Sequence, residues 1–110
     1  MIAISATDKK LTASMDLRFG RCPYFLLVGD EETKFVENPF CNEDSEIAPR
    51  LIEFLKKENV NKIITGEIGP KAKENLDKYK IQIIMFSEDK VSLQYIMKKM
   101  GKSNYLLSKK

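Results

Sequence analysis

Two apolar runs, at residues 60–65 and 81–86, flank a stretch whose apolar residues recur at helical spacing, and this strand–helix–strand order constrains the fold more than any other feature. A third run at residues 2–5 opens the chain as a strand, and a helical stretch precedes residue 60. Strands joined through helices pair in parallel with right-handed crossovers. Between the first strand and the first helix, Tyr24-Phe25-Leu26-Leu27-Val28 reads as a buried strand, and Lys34-Phe35-Val36-Glu37 as its hairpin partner, stopped by Pro39. The full order is β, a ββ hairpin, α, β, α, β, α. It predicts an α/β fold of three layers, with a mixed five-stranded sheet and helices on both faces.

The punctuation supports each element. Asp44 or Ser45 is expected to cap the first helix, with Pro49 tolerated in its first turn and Asn59 closing it. Ile47, Leu51, Phe54 and Leu55 form its inward face. Pro70 suits the first position of the second helix, whose inward residues are Ala72, Leu76 and Tyr79. Ser92 caps the last helix, which turns Leu93, Ile96, Met97 and Met100 inward and ends at Gly101. Leu11 to Ser14 add a small extended piece. One domain over residues 1–101 and a basic tail over 102–110 account for the chain of 110 residues.

Composition narrows the function. No stretch approaches the roughly 20 apolar residues of a membrane span, and the first residues lack the basic and apolar regions of a signal peptide. The cytoplasm is therefore the expected compartment, with no membrane partner. A net charge of +3, with lysines on helical faces and in the tail, forms no basic stripe interleaved with aromatics, so no nucleic-acid partner is expected. Histidine is absent, which removes the commonest general base and the commonest nitrogen ligand for a metal. Metal chemistry then falls to the two cysteines, to carboxylates or to backbone.

Topology gathers the remaining candidates at one end of the sheet. The loops after the first strand, after the hairpin and after the strand at 60–65 all lie at the carboxyl end of the parallel strands, where open α/β sheets bind ligands. If Glu31-Glu32 centre the hairpin turn, Cys22 stands opposite Cys41, and opposed residues have Cβ atoms about 4.5–5.5 Å apart. Two nearby thiolates are half of a soft ligand set for zinc, copper(I) or an iron–sulfur cluster. Arg18 and Arg21 flank Cys22, where cations lower a thiol pKa or hold an anion. Gly69-Pro70 at a helix start favours an anion through its backbone N–H groups. Each residue also has an ordinary reading: inert core cysteines, surface ion pairs, a helix start with no ligand.

Three segments carry a family resemblance. Arg18-Phe19-Gly20-Arg21-Cys22-Pro23-Tyr24-Phe25, Glu37-Asn38-Pro39 and Thr65-Gly66-Glu67-Ile68-Gly69-Pro70-Lys71-Ala72 resemble, in order and spacing, the motifs of the dinitrogenase iron–molybdenum cofactor biosynthesis family. The resemblance spans residues 1–101. It implies a ribonuclease H-like fold and an accessory protein that binds or carries iron–molybdenum cofactor or its iron–sulfur precursor. Arg18 stands where the family often has histidine, and Phe40-Cys41-Asn42-Glu43-Asp44 replaces a glycine-rich stretch. Nuclease activity is not implied, because no carboxylate stands on the first strand to begin a two-metal site.

The resulting expectation is a non-catalytic carrier of an iron–sulfur or iron–molybdenum cluster, serving a cluster donor or acceptor protein. Cys22 and Cys41 would be the metal ligands. Arg18, Gly20, Arg21, Gly66 and Gly69 would surround the cluster and balance its charge. Two other readings stand beside it: a small thiol or redox protein using Cys22, and an interaction module that holds no metal.

Overall fold

The computed structural model describes residues 1–43, 47–86, 88 and 90–101. Its elements follow the expected order: β1 (Ile2–Ala6), β2 (Tyr24–Val28), β3 (Thr33–Glu37), α1 (Ala48–Lys57), β4 (Lys62–Thr65), α2 (Pro70–Lys78), β5 (Gln82–Met85) and α3 (Leu93–Lys99). The strands form one five-stranded sheet in the order β3-β2-β1-β4-β5. β1 pairs in parallel with β4, and β4 with β5, while β1–β2 and β2–β3 are antiparallel. The mixed α/β fold is the one the strand and helix order demands.

The pleat sorts the core into two layers, because successive side chains point to opposite faces. Ala3, Phe25, Leu27 and Ile63 meet Leu51, Ile52 and Leu55 of α1 and Leu76 of α2 on one face. Ile4, Leu26, Val28 and Ile64 meet Leu93, Ile96 and Met97 of α3 on the other. Both faces of β1, β2 and β4 are covered, which explains why these strands read as continuous apolar runs. Among the described residues no helix is long and apolar enough to cross a membrane.

Several ends agree with the local chemistry. Ser92 Oγ accepts from the Tyr95 N–H at 3.1 Å. Asn59, at φ 65°, turns the chain out of α1 into β4. Gly101 closes the segment after α3 at φ 75°, a conformation that favours glycine. The extended piece expected at Leu11 to Ser14 is shifted and shorter: residues 11–13 turn, with the Ala13 N–H donating to the Lys10 carbonyl at 3.0 Å, and isolated bridges pair Ser14 with Ser92 and Met15 with Ala6.

Three further expectations change. Helix α1 begins at Ala48 with Ile47 as its N-cap residue and no side-chain cap; Asp44 and Ser45 lie outside the described residues, as does the tail at 102–110. Tyr79 ends α2 at 37% exposure instead of packing inward, because the helix stops at Lys78 after Leu76 has made the deep contact. The hairpin turn is centred on Asp30-Glu31, with the Gly29 N–H donating to the Glu32 carbonyl at 2.7 Å. Val28 then pairs with Thr33 and Tyr24 with Glu37. Continuing that register sets Cys22 against Pro39, not Cys41.

Candidate functional site

Because α1 follows β3 and α2 follows β4, both helices begin at the carboxyl end of the parallel strands. Their first turns are neighbours, and between them opens a groove of about 800 Å³. One wall is Ile47, Ala48, Pro49 and Leu51 of the α1 start. The other is Gly69, Pro70, Lys71, Ala72, Glu74 and Asn75 of the α2 start. Arg18, Phe19, Gly20 and Arg21 close it from the long loop after β1, together with Glu67. The floor is apolar and the rim carries the charge. Three cations and two carboxylates line it, leaving one net positive charge. Neither helix start has a side-chain cap, and each N-terminus adds the equivalent of about half a positive charge.

The loop carrying Arg18 to Arg21 is held from below. Asn38 is buried at 3% exposure. Its amide donates to the carbonyls of Cys22 at 2.8 Å and Gly20 at 3.2 Å, and its Oδ1 accepts from the Phe40 N–H at 2.9 Å. Asn38 also donates its own N–H to the Pro23 carbonyl at 2.9 Å. The Glu-Asn-Pro segment is therefore the clasp of the Arg-Phe-Gly-Arg-Cys-Pro loop. Phe19 packs edge-on against Phe25 at 5.8 Å, which anchors the same loop to β2.

Arg18 is tied back to Asp16: Nε donates to Oδ1 at 3.0 Å and Nη2 to Oδ2 at 2.9 Å. The hydrogen bonds and then the charge of Asp16 hold the Arg18 guanidinium above its usual range. Arg21 donates to the Glu43 carbonyl, which Arg50 also pins through the Glu43 side chain.

Gly66, expected beside a bound cluster, does not line the groove. A Cβ there would stand 2.4 Å from Leu17 Cδ2 and 2.9 Å from Leu17 Cα. Gly66 lets the loop after β4 press against the loop after β1, and the Phe19 N–H reaches the Glu67 carbonyl across that contact at 3.4 Å. The backbone clash has no rotameric escape. Gly66→Ala is expected to destabilise the fold by about 1–3 kcal/mol, read as a lowered urea midpoint.

The cysteines sit differently from one another. Cys41 is half-buried in the turn after β3, its N–H donating to the Asn38 carbonyl at 3.4 Å. Cys22 is 0% exposed, inside the core layer under α1 and α2, and its thiol donates to the Phe19 carbonyl at 3.3 Å. Burial, and then the charge of Asp16, push the Cys22 thiol up from its ordinary 9.0 to about 12. That is a sealed, protonated thiol. Among the described residues no group of three or more histidine, cysteine, aspartate or glutamate side chains is placed to hold a metal. In this buried, protonated state Cys22 is placed neither as a thiolate ligand nor as a nucleophile.

This sealing gives a measurable expectation. In native protein at pH 8 one thiol, Cys41, should react with a disulfide reagent, and both should react after unfolding. The raised folded-state value means the fold favours the protonated thiol. Its stabilising effect is complete below about pH 9 and is lost as pH rises toward about 12. Alkaline unfolding curves of wild-type and Cys22→Ala protein should therefore converge across that window.

Asp16, Asn38 and Lys71 were not singled out by sequence reasoning. Asn38 and Lys71 lie inside the family motifs, which marked them without a mechanism. Asp16 lies in a polar stretch with no periodicity to flag it.

The fold recurs in solved structures. The orange protein from Desulfovibrio gigas, in its apo form, is similar at 25% identity and a TM-score of 0.78, over 93% of this chain and 88% of that one. The protein PH0822 is similar at 27% identity and a TM-score of 0.62, over 76% of this chain and 74% of that one. TM1290 from Thermotoga shares the fold at 21% identity and a TM-score of 0.74, over 98% and 97%. No curated protein matches the sequence. The model of the family described as "Dinitrogenase iron-molybdenum cofactor" matches residues 1–102, and the chain belongs to that family.

Proposed function

We propose that this protein is a non-catalytic carrier that holds an anionic metal–sulfur cluster as cargo in the groove between the starts of α1 and α2. The observation that carries the reading is the convergence of two uncapped helix starts with Arg18, Arg21 and Lys71 on one apolar-floored cleft. Family membership and likeness to a protein with an apo form support it.

The chemistry of the lining favours one kind of anion. An apolar floor makes removal of water a large part of the binding cost. Compact, strongly hydrated oxyanions lose more on entering than large anions whose charge is spread over soft sulfur. Modest positive charge at the rim then neutralises the cargo without covalent ligation. Arg18 and Arg21 supply N–H donors, and the two helix N-termini add their field. Holding cargo without thiolate bonds leaves it free to be passed to an acceptor protein or received from a donor.

The test is anaerobic loading. Protein is incubated with tetrathiomolybdate, or with iron and sulfide, then separated and assayed for metal, acid-labile sulfide and visible absorption. The reading expects near-stoichiometric uptake that weakens as salt rises. Uptake insensitive to salt and dependent on the cysteines would contradict it.

A further inference from the structure

We infer that Asp16 is a positioning residue for cargo binding, holding the Arg18 guanidinium open to the groove. The inference rests on the groove reading above and assigns the residue through which one of its cations is set.

Asp16 is built into the sheet. Its N–H donates to the Ser5 carbonyl of β1 at 2.8 Å. Its own carbonyl accepts from Ser5 Oγ at 2.5 Å, and that hydroxyl shares a hydrogen bond of 2.7 Å with Thr65 Oγ1 of β4. Ser5 and Thr65 are both 0% exposed. The Asp16 side chain, 5% exposed, accepts from the Arg18 N–H, Nε and Nη2, while the Arg18 side chain stays 61% exposed. Two of the five guanidinium N–H groups face Asp16, so three remain for a ligand.

Stability does not account for this arrangement. Pairs with an exposed arginine contribute little, and burying the carboxylate has its own cost. The competing partner is Glu67. It lines the same groove, and its backbone is bridged to that of Arg18. Without Asp16 the guanidinium would be free to fold onto Glu67 and cancel the groove's charge. With both carboxylate oxygens of Asp16 behind it, Arg18 is fixed at the rim.

The sign of one substitution separates positioning from plain electrostatics. Asp16 is a negative charge near an anion site. If it acted through its field alone, Asp16→Asn would tighten anion binding. Positioning predicts the reverse. Tetrathiomolybdate titrations should show binding about five-fold weaker in Asp16→Asn. Asp16→Asn should change affinity less than about two-fold when added to Arg18→Gln. The Nε–H cross-peak of Arg18 in a ¹⁵N-edited spectrum should be discrete in wild type and lost in Asp16→Asn.

Should Asp16→Asn fail to fold, Asp16→Glu decides. It keeps the charge and moves the oxygens, so weakened binding supports positioning and unchanged binding overturns it. The inference is also overturned if Asp16→Asn binds as tightly as wild type or tighter, or if its loss persists undiminished beside Arg18→Gln. Wild-type protein that takes up no tetrathiomolybdate, or an Arg18→Gln variant with unchanged affinity, would instead sink the groove reading and this inference with it.

Discussion

Asn38→Ala should lower stability by about 3 kcal/mol and should weaken cargo binding as a consequence of that loss. The substitution removes an amide that satisfies the carbonyls of Gly20 and Cys22 and the N–H of Phe40. A buried polar group left without a partner costs about 1–3 kcal/mol, and the Cys22 carbonyl has Asn38 as its close side-chain donor. For a domain of this size the melting temperature should fall by roughly 15 °C. Asn38→Asp should be worse, since a carboxylate would face two carbonyl oxygens. Thermal melting checks the first effect and tetrathiomolybdate titration of the still-folded protein the second. A change below about 0.5 kcal/mol would show that the clasp does not hold the loop.

Reversing the two rim cations that are not tied to Asp16, as Arg21→Glu with Lys71→Glu, should weaken tetrathiomolybdate binding about 100-fold at low salt. The lining would pass from one net positive charge to a net negative one, while the apolar floor stays as it is. The difference should shrink as ionic strength rises past about 0.15 M, where charges are screened over about 8 Å. Both side chains are near the surface, so the melting temperature should move little. Equal affinity in the reversed variant would show that the anion does not bind in this groove.

The sheet and its helices were legible because each element announces itself locally. Continuous apolar runs mark strands covered on both faces, Pro70 and Ser92 mark helix starts, and Asn59 and Gly101 mark exits. The gathering of Arg18, Gly20, Arg21 and Gly69 at one end followed from strand direction alone. What did not follow was register. Asp30, Glu31 and Glu32 are chemically alike, so nothing local says which pair centres the turn. A one-residue difference there moves Cys22 from Cys41 to Pro39, and with it the idea of a paired thiol site.

The roles of Gly66 and Asp16 were hidden for another reason. Gly66 answers to Leu17, a contact that exists only once two loops from different strands meet, and Asp16 answers to Ser5 of β1 and to Arg18 of its own loop, which come together only when that loop packs against the strand. Cys22 itself shows how position overrides residue type: flanking arginines argue for a low thiol pKa, yet core burial raises it to about 12.

A cargo held by the groove is held without the cysteines. Tetrathiomolybdate binding by wild-type and Cys22→Ala/Cys41→Ala protein, compared under anaerobic conditions with folding confirmed by melting, tests this directly. Affinities within about three-fold of each other are expected. Loss of binding in the cysteine-free protein, while the Arg21→Glu/Lys71→Glu protein still binds, would contradict binding in the groove.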